Sequence, residues 1–439
     1  MNALDLIYLA VAAVTAPKWA RKARGGWEQR FGRIEPVAER PPPDSVDGPP
    51  ARRPRLLIHA VSVGEVNALR WLVPLLADDV HVIVTATTDT GVARAQELFG
   101  ASCDVRRFPL DASWAVRRFL DATRPDAVAL VELELWPNFM RACRGRGVPV
   151  AVISGRLSER SFRGYRKLRP LIRWMFAQLE AVGAQDEAYA RRFLAMGVRP
   201  ERLSVTGSTK WDAAGPPAEA GSDEGSSGAL PAAAVALREA MGIDPGRPLI
   251  VGASTAEGEE ALLHAATPPG CQLLCAPRKP ERFGAAAAAL PGCVRRSARS
   301  RAGSGDAARG SQAAPDRFLL DTLGELRDAY ALADVVVIGR SFGPLYGSDP
   351  IEPAAMGKPV LIGPSHRDFE APVRILADSD GLLVTDRDRL AQDLAALVGD
   401  PERRRAMGAA ARRAVERQRG ASARHASMLR SILERRQAR

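Results

Sequence analysis

A glutamate at position 65 follows an apolar run that ends in small residues, Ile58-His59-Ala60-Val61-Ser62-Val63-Gly64-Glu65. From Val66 onward, apolar residues recur at Leu69, Val73 and Leu76, the spacing of a helix. Glu65 is therefore expected near a helix N-terminus at the carboxyl end of a strand, where open α/β sheets place their ligands. The positive end of the helix dipole favours an ionised carboxylate, which suits a general base. An ordinary acidic first-turn residue shows the same local pattern, so other segments must decide.

Several segments carry comparable residue choices. Val131-Glu132-Leu133-Glu134-Leu135-Trp136-Pro137-Asn138 ends a strand with two carboxylates on one face, because strand side chains alternate with period two. Gly155-Arg156-Leu157-Ser158 follows the next strand, and Thr206-Gly207-Ser208-Thr209-Lys210-Trp211-Asp212 brings a lysine at the close of the first half. Further on, Val251-Gly252-Ala253-Ser254-Thr255 leads from strand to helix, with small residues and exposed amides suited to a phosphate. Ser254, Thr255 and Arg156 are thus candidate contacts for a phosphate or carboxylate. Ala276-Pro277-Arg278-Lys279-Pro280 sets cations at another strand end, and Asp349-Pro350-Ile351-Glu352-Pro353-Ala354-Ala355 predicts a short helix before the strand at Val360.

These segments need a scaffold of alternating strands and helices. Leu56–Ala60, Val80–Thr85, Ala127–Glu132, Val148–Ile153 and Ala181–Ala184 read as short strands between helical stretches. A second series runs through 249–252, 272–276, 318–320, 334–338, 360–363 and 381–384. Such alternation argues for βαβ units and parallel sheets. Residues 213–232, rich in Ala, Gly, Ser and Pro, read as a linker. The expected organisation is an N-terminal segment 1–34, a Rossmann-like domain 35–212, the linker, a second Rossmann-like domain 233–400 and a helical segment 401–439. Residues 297–315 are of low complexity and read as a surface insertion.

The chain of 439 residues has a net charge of +11 and five scattered cysteines, which suggest neither a disulfide framework nor a zinc site. Residues 3–16 are apolar except for Asp5, and Lys18, Arg21, Lys22, Arg24, Arg30 and Arg33 follow, with Trp19 and Trp27 among them. A spanning helix needs about 20 apolar residues, and a cleaved signal would carry its charge before the apolar run. Basic residues after it suit the cytoplasmic face, and tryptophan suits the headgroup zone. The expectation is a membrane-anchoring or interfacial helix holding a cytoplasmic body on an anionic membrane. No nucleic-acid recognition motif accompanies the charge.

Taken in order, the Ser-Val-Gly-Glu, Glu-Leu-Glu-Leu-Trp-Pro-Asn, Gly-Ala-Ser-Thr and Glu-Pro-Ala-Ala segments resemble the Kdo (3-deoxy-D-manno-oct-2-ulosonic acid) transferases. The resemblance runs from Trp27-Glu28-Gln29-Arg30-Phe31-Gly32 to about Phe369. It implies a GT-B architecture, two Rossmann-like domains facing across a cleft, and inverting transfer from CMP-Kdo to a lipid A precursor on the cytoplasmic side of the inner membrane. The resemblance thereby implies an anionic inner-membrane surface for the N-terminal helix. It implies Glu65 as the base, with Glu132 and Lys210 stabilising the transition state. For the donor it implies Pro277 and Arg278, the segment Gly324-Glu325-Leu326, and Asp349-Pro350-Ile351-Glu352, with Glu352 on the ribose hydroxyls. Neither metal nor redox cofactor is implied. Members of the family usually carry Gly-Gly-His-Asn-Pro where this chain has Tyr346-Gly347-Ser348-Asp349-Pro350. Asp349 lacks the donor amide of asparagine and adds negative charge where a phosphate is expected. The alternatives are another GT-B transferase using a UDP-sugar on a lipid-linked acceptor, and a non-catalytic membrane-bound sensor of nucleotide or anionic lipid.

Overall fold

The computed structural model describes residues 2, 4–6, 8, 25–38, 52–215, 230–299 and 315–438. The chain divides into two compact units, Met1–Ala213 with Gln418–Arg439, and Ala214–Arg417.

The first unit is built on seven parallel strands: β1 (Arg55–Ala60), β2 (His81–Ala86), β3 (Asp104–Arg107), β4 (Ala127–Val131), β5 (Val150–Gly155), β6 (Ala181–Ala184) and β7 (Leu203–Val205). They lie in the order β3-β2-β1-β4-β5-β6-β7, so the direction of winding reverses between β1 and β4. Every residue of β1, β2, β4, β5 and β6 is buried, because helices cover both faces of the sheet. Those strands stand out in the sequence as near-continuous apolar runs. The edge strand β3, Asp-Val-Arg-Arg, carries charges on its open side and gave no such signal.

One expectation changes here. The C-terminal segment 401–439 is not one body: the helix Pro401–Gln418 runs up to the unit boundary, whereas Ala421–Gln437 belongs to the first unit. Its Ala426, Leu429, Ile432 and Leu433 enter the same apolar core as Leu56 and Ile58 of β1. Arg30 is buried and pairs with Asp89 at 3.3 Å. Asp5, the lone charge in the apolar stretch, accepts hydrogen bonds from Ser113 N at 2.8 Å and Ser113 Oγ at 2.6 Å, and from Asn138 Nδ2 at 3.2 Å. These bonds explain a carboxylate in that stretch. The expected anchor otherwise lies outside the described residues, and no helix among those described is long and apolar enough to cross a membrane.

The second unit repeats the plan with β8 (Leu249–Thr255), β9 (Gln272–Pro277), β10 (Val294–Arg295), β11 (Arg317–Leu319), β12 (Val335–Ile338), β13 (Val360–Ile362) and β14 (Leu382–Val384). The order is β10-β11-β9-β8-β12-β13-β14, all parallel, with the reversal between β8 and β12. Residues 216–229 of the expected linker and 300–314 of the expected insertion lie outside the described residues.

Candidate active site

In the first unit the predicted catalytic residues converge on the carboxyl ends of β1 and β4, the strands that flank the reversal. Glu65 lies in the first turn of the helix Val63–Ala68 that follows β1. Its Oε2 accepts from Val61 N at 2.7 Å and its Oε1 from Ser62 Oγ at 3.3 Å. The carboxylate thereby tethers the strand-to-helix turn. Burial pushes its pKa up to about 7. The Val61 amide pulls it down, Glu132 and Glu134 push it up, and Lys210 pulls it down. A carboxyl group poised near neutrality is what general-base work at physiological pH requires.

Glu132 follows β4 directly in the left-handed region, φ 59°, a conformation that strains a residue with a long side chain. Lys210 Nζ meets its Oε1 at 2.8 Å, and Arg156 Nη1 lies 3.8 Å from its Oε2. Glu132 is thus held by two cations while its charge reaches Glu65. Lys210 sits on the short helix Thr209–Ala213, which packs on the helix carrying Glu65.

What holds Lys210 was not legible in the motifs. Ser154, in β5, also has positive φ, 48°, where the register with β6 is irregular. Its N–H donates to His425 Nε2 at 3.1 Å, and its Oγ accepts from Thr209 N at 3.1 Å. His425 Nε2 also lies 3.3 Å from Thr206 Oγ1. Burial drives the imidazole pKa down to about 4, so the ring stays neutral and Nε2 can accept. Asp212 accepts from Gly420 N at 2.7 Å and Ser422 N at 2.6 Å, and Arg424 Nε donates to Thr206 O at 2.9 Å. The C-terminal helix therefore clamps the whole segment 206–212. A Cβ on Gly183 would stand 2.5 Å from both His425 Cε1 and Thr206 Oγ1, so β6 requires glycine there.

In the second unit the corresponding edge carries the expected donor residues. Pro277 ends β9, and Arg278 N donates to Thr255 O of the adjacent β8 at 3.1 Å, leaving the Arg278 side chain exposed. Ser254 and Arg340 both have positive φ, 54° and 59°, at the ends of β8 and β12 beside the reversal. The amides there already hold an anion of the protein itself. Glu259 Oε2 accepts from Ala256 N at 2.7 Å and Arg340 N at 2.6 Å. Its Oε1 accepts from Ser341 N at 2.9 Å and Phe342 N at 3.0 Å. Thr255 is fully buried and donates to Glu260 Oε1 at 2.7 Å, while Arg282 grips the Glu260 carboxylate through two 3.2 Å bonds. The Thr255 hydroxyl is thus engaged within the protein, not turned to a ligand. The run Glu257-Gly258-Glu259-Glu260 after Thr255 was the overlooked sequence signal.

Glu325 precedes the helix Leu326–Leu332 and follows Gly324, whose φ is 93°; its carboxylate pairs with Arg296 at 2.9 Å and accepts from Thr322 Oγ1. Arg327 on that helix reaches Glu352 Oε1 at 3.2 Å. The buried Tyr330 phenol is pushed well above its usual range by burial and by the charges of Glu352 and Asp349. The segments 324–326 and 349–352 are therefore neighbours. Asp349 Oδ1 accepts from Ile351 N at 2.9 Å, starting the helix Ile351–Ala355, in which Ile351 is buried. Among the described residues no cluster of His, Cys, Asp and Glu is arranged to hold a metal ion.

Each unit is an open, doubly wound parallel sheet with polar groups and strained residues beside its own reversal, the place where such sheets hold their ligands. The structure is similar to that of Anabaena Alr3699/HepE in complex with UDP, with TM-score 0.56 and 14 % identity over 86 % of this chain and 100 % of that one. It is also similar to UDP-GlcNAc 2-epimerase from Neisseria meningitidis, with TM-score 0.53 and 13 % identity over 81 % and 94 %. These likenesses establish the fold, two α/β units of the GT-B kind. The family model described as 3-deoxy-D-manno-octulosonic-acid transferase matches residues 25–213. The 3-deoxy-D-manno-octulosonic acid transferase of Bordetella pertussis is 37 % identical over 415 residues, 90 % of this chain and 89 % of that protein. The Haemophilus influenzae enzyme of the same name is 30 % identical over 98 % of this chain and 96 % of its own length. The chain belongs to the Kdo transferase family, and it is a glycosyltransferase.

Proposed function

We propose that this protein transfers Kdo from CMP-Kdo to a sugar hydroxyl of a lipid A precursor, with inversion at the anomeric carbon. The observation that carries the reading is Glu65: a carboxyl at the β1–β4 reversal, near neutrality, beside the Glu132–Lys210 pair. In the proposed reaction Glu65 takes the acceptor hydroxyl proton, the oxygen attacks the anomeric carbon, and the bond to the CMP phosphate breaks. Lys210, pinned by Glu132, offsets negative charge on the Kdo carboxylate. Arg278 offsets the charge that accumulates on the departing phosphate. Glu352 holds the ribose hydroxyls. The acyl chains of the acceptor remain in the membrane, so the reading puts the enzyme at the cytoplasmic face of the inner membrane, with residues 3–16 as its anchor. Incubation of the protein with CMP-Kdo and a lipid A precursor, followed by mass spectrometry, tests the proposal. One or more added Kdo masses are expected; an unmodified acceptor, or binding of UDP in preference to CMP, overturns it.

Two smaller effects follow from the geometry. His425 acts as a positioning residue. His425→Leu removes the acceptor of the buried Ser154 N–H and is expected to lower stability by about 1–3 kcal/mol. It should also reduce kcat roughly tenfold with CMP affinity unchanged, since one factor of ten corresponds to about 1.4 kcal/mol. His425→Gln, which keeps an acceptor, should recover most of the kcat; equal defects in both variants would assign the residue to packing alone. Asp349→Asn keeps the oxygen that accepts from Ile351 N and removes a negative charge near the donor phosphate. CMP affinity should rise severalfold in calorimetric titration, on the scale of a single charge contact of about 1 kcal/mol.

A further inference from the structure

The helices Glu159–Lys167 and Arg169–Ala177, directly beyond β5 and Arg156, present an unusual surface. The first buries no residue at all. Phe162, Ile172 and Trp174 turn inward against the core of the first unit. On the outside, Leu171 is 72 % exposed and Leu168 50 %, and Tyr165 is exposed beside them. Around these apolar groups stand Arg160, Arg163, Arg166, Lys167, Arg169 and Arg173, all exposed. The single acidic residue of the stretch, Glu159, is already shared by Arg163 at 3.0 Å and Arg192 at 3.1 Å. Six cations with one engaged anion, interleaved with open leucines whose apolar area water solvates poorly, form a composition that an acidic lipid surface suits well.

Glu134 stands near both this surface and the candidate base. Trp136, also exposed, donates its Nε1–H to Glu134 Oε2 at 2.9 Å. The same Glu134 charge is felt by the Tyr165 phenol and by Glu65. Glu65, Glu134, Trp136 and Tyr165 thus share one neighbourhood, and the exposed Leu168 and Leu171 follow Tyr165 in the chain.

We infer that this helix pair, residues 159–177, lies on an anionic phospholipid bilayer, with Leu168 and Leu171 inserted at headgroup depth and the basic side chains on lipid phosphates. It is a second membrane contact, separate from the N-terminal segment, and it brings the base down to an acceptor whose sugar stands at the membrane plane. The inference rests on the reading that the acceptor stays in the bilayer.

The test uses the full chain carrying an environment-sensitive fluorophore at Leu171→Cys. The half-buried Cys293 is replaced by alanine, since the other four cysteines are buried. On vesicles containing phosphatidylglycerol the emission should shift to the blue and be quenched by nitroxide-labelled lipid. A second variant, Leu168→Glu with Leu171→Glu, touches only exposed positions. It should transfer Kdo to vesicle-embedded acceptor roughly tenfold more slowly, the loss expected from removing somewhat more than 1 kcal/mol of interfacial attraction. Its transfer to acceptor in detergent micelles should match the parent. A probe at position 171 that remains in water while the protein is bound to vesicles, or equal rates of the glutamate variant in both formats, overturns the inference. If the parent chain transfers no Kdo even in detergent, the proposed reaction falls, and the fluorescence result still decides the membrane contact.

Discussion

Glu65→Gln should lower kcat by roughly 10²–10⁴, the usual contribution of a general base, with CMP affinity intact. In the parent enzyme, kcat/KM should rise with pH up to about 7 and then level off, because only the ionised carboxylate accepts the proton. A profile flat through this range, or a variant with more than a tenth of the parental rate, would remove Glu65 from the base role. The same carboxyl carries a stability signature. Its folded-state pKa is raised, from 4.5 to about 7, so the folded protein retains a proton that the unfolded chain releases. The stability this provides is complete below pH 4.5 and is lost as pH rises through 7. Glutamine has no proton to lose. The variant should therefore melt at a higher temperature than the parent at pH 8, while the two approach each other near pH 4. Gain of stability with loss of turnover separates a catalytic carboxylate from a merely structural tether.

Lys210→Met should be the second large effect, lowering kcat roughly 10²–10³-fold, as removal of one charge-stabilising group commonly does. The substitution also leaves Glu132, among the described residues, with the longer contact to Arg156 at 3.8 Å. With the cation gone and the Glu132 charge less compensated, the pKa of Glu65 should climb further, and the rising limb of the pH profile should move to higher pH. Lys210→Arg should restore the limb more than the rate, because a guanidinium keeps the charge but cannot repeat the 2.8 Å point contact with Glu132 Oε1. An unchanged limb in Lys210→Met would show that the lysine does not act on the base.

Much of the scaffold was readable in residue order. The parallel strands β1, β4 and β12 are fully buried, and β8 is buried except at Ser254; such strands are written as apolar runs bounded by small or charged residues. Glu65, Glu132 and Arg278 each stand just beyond such a run, so their place at a sheet edge followed from local pattern alone. The segments 324–326 and 349–352 came from family resemblance, and the fold makes them neighbours through Arg327 and Tyr330. Less legible were β3 and the two-residue β10, which are too short or too charged to carry an apolar pattern. The phosphate expectation at Thr255 missed Glu260, because a hydroxyl's partner five residues away is invisible until the turn is built.

Residue order thus established the alternation of elements, the carboxylates and cations at their ends, and the family, since each is encoded within a few consecutive positions. Tertiary structure alone decided that Glu65 is pushed toward neutrality, since desolvation depends on what surrounds a group in space. It alone decided that Glu132 is strained and doubly paired, and that the C-terminal helix returns to lock Thr206, Ser154 and Asp212 through His425 and its own first amides. Those contacts join positions more than two hundred residues apart, and no periodicity in a single sequence records such a distance.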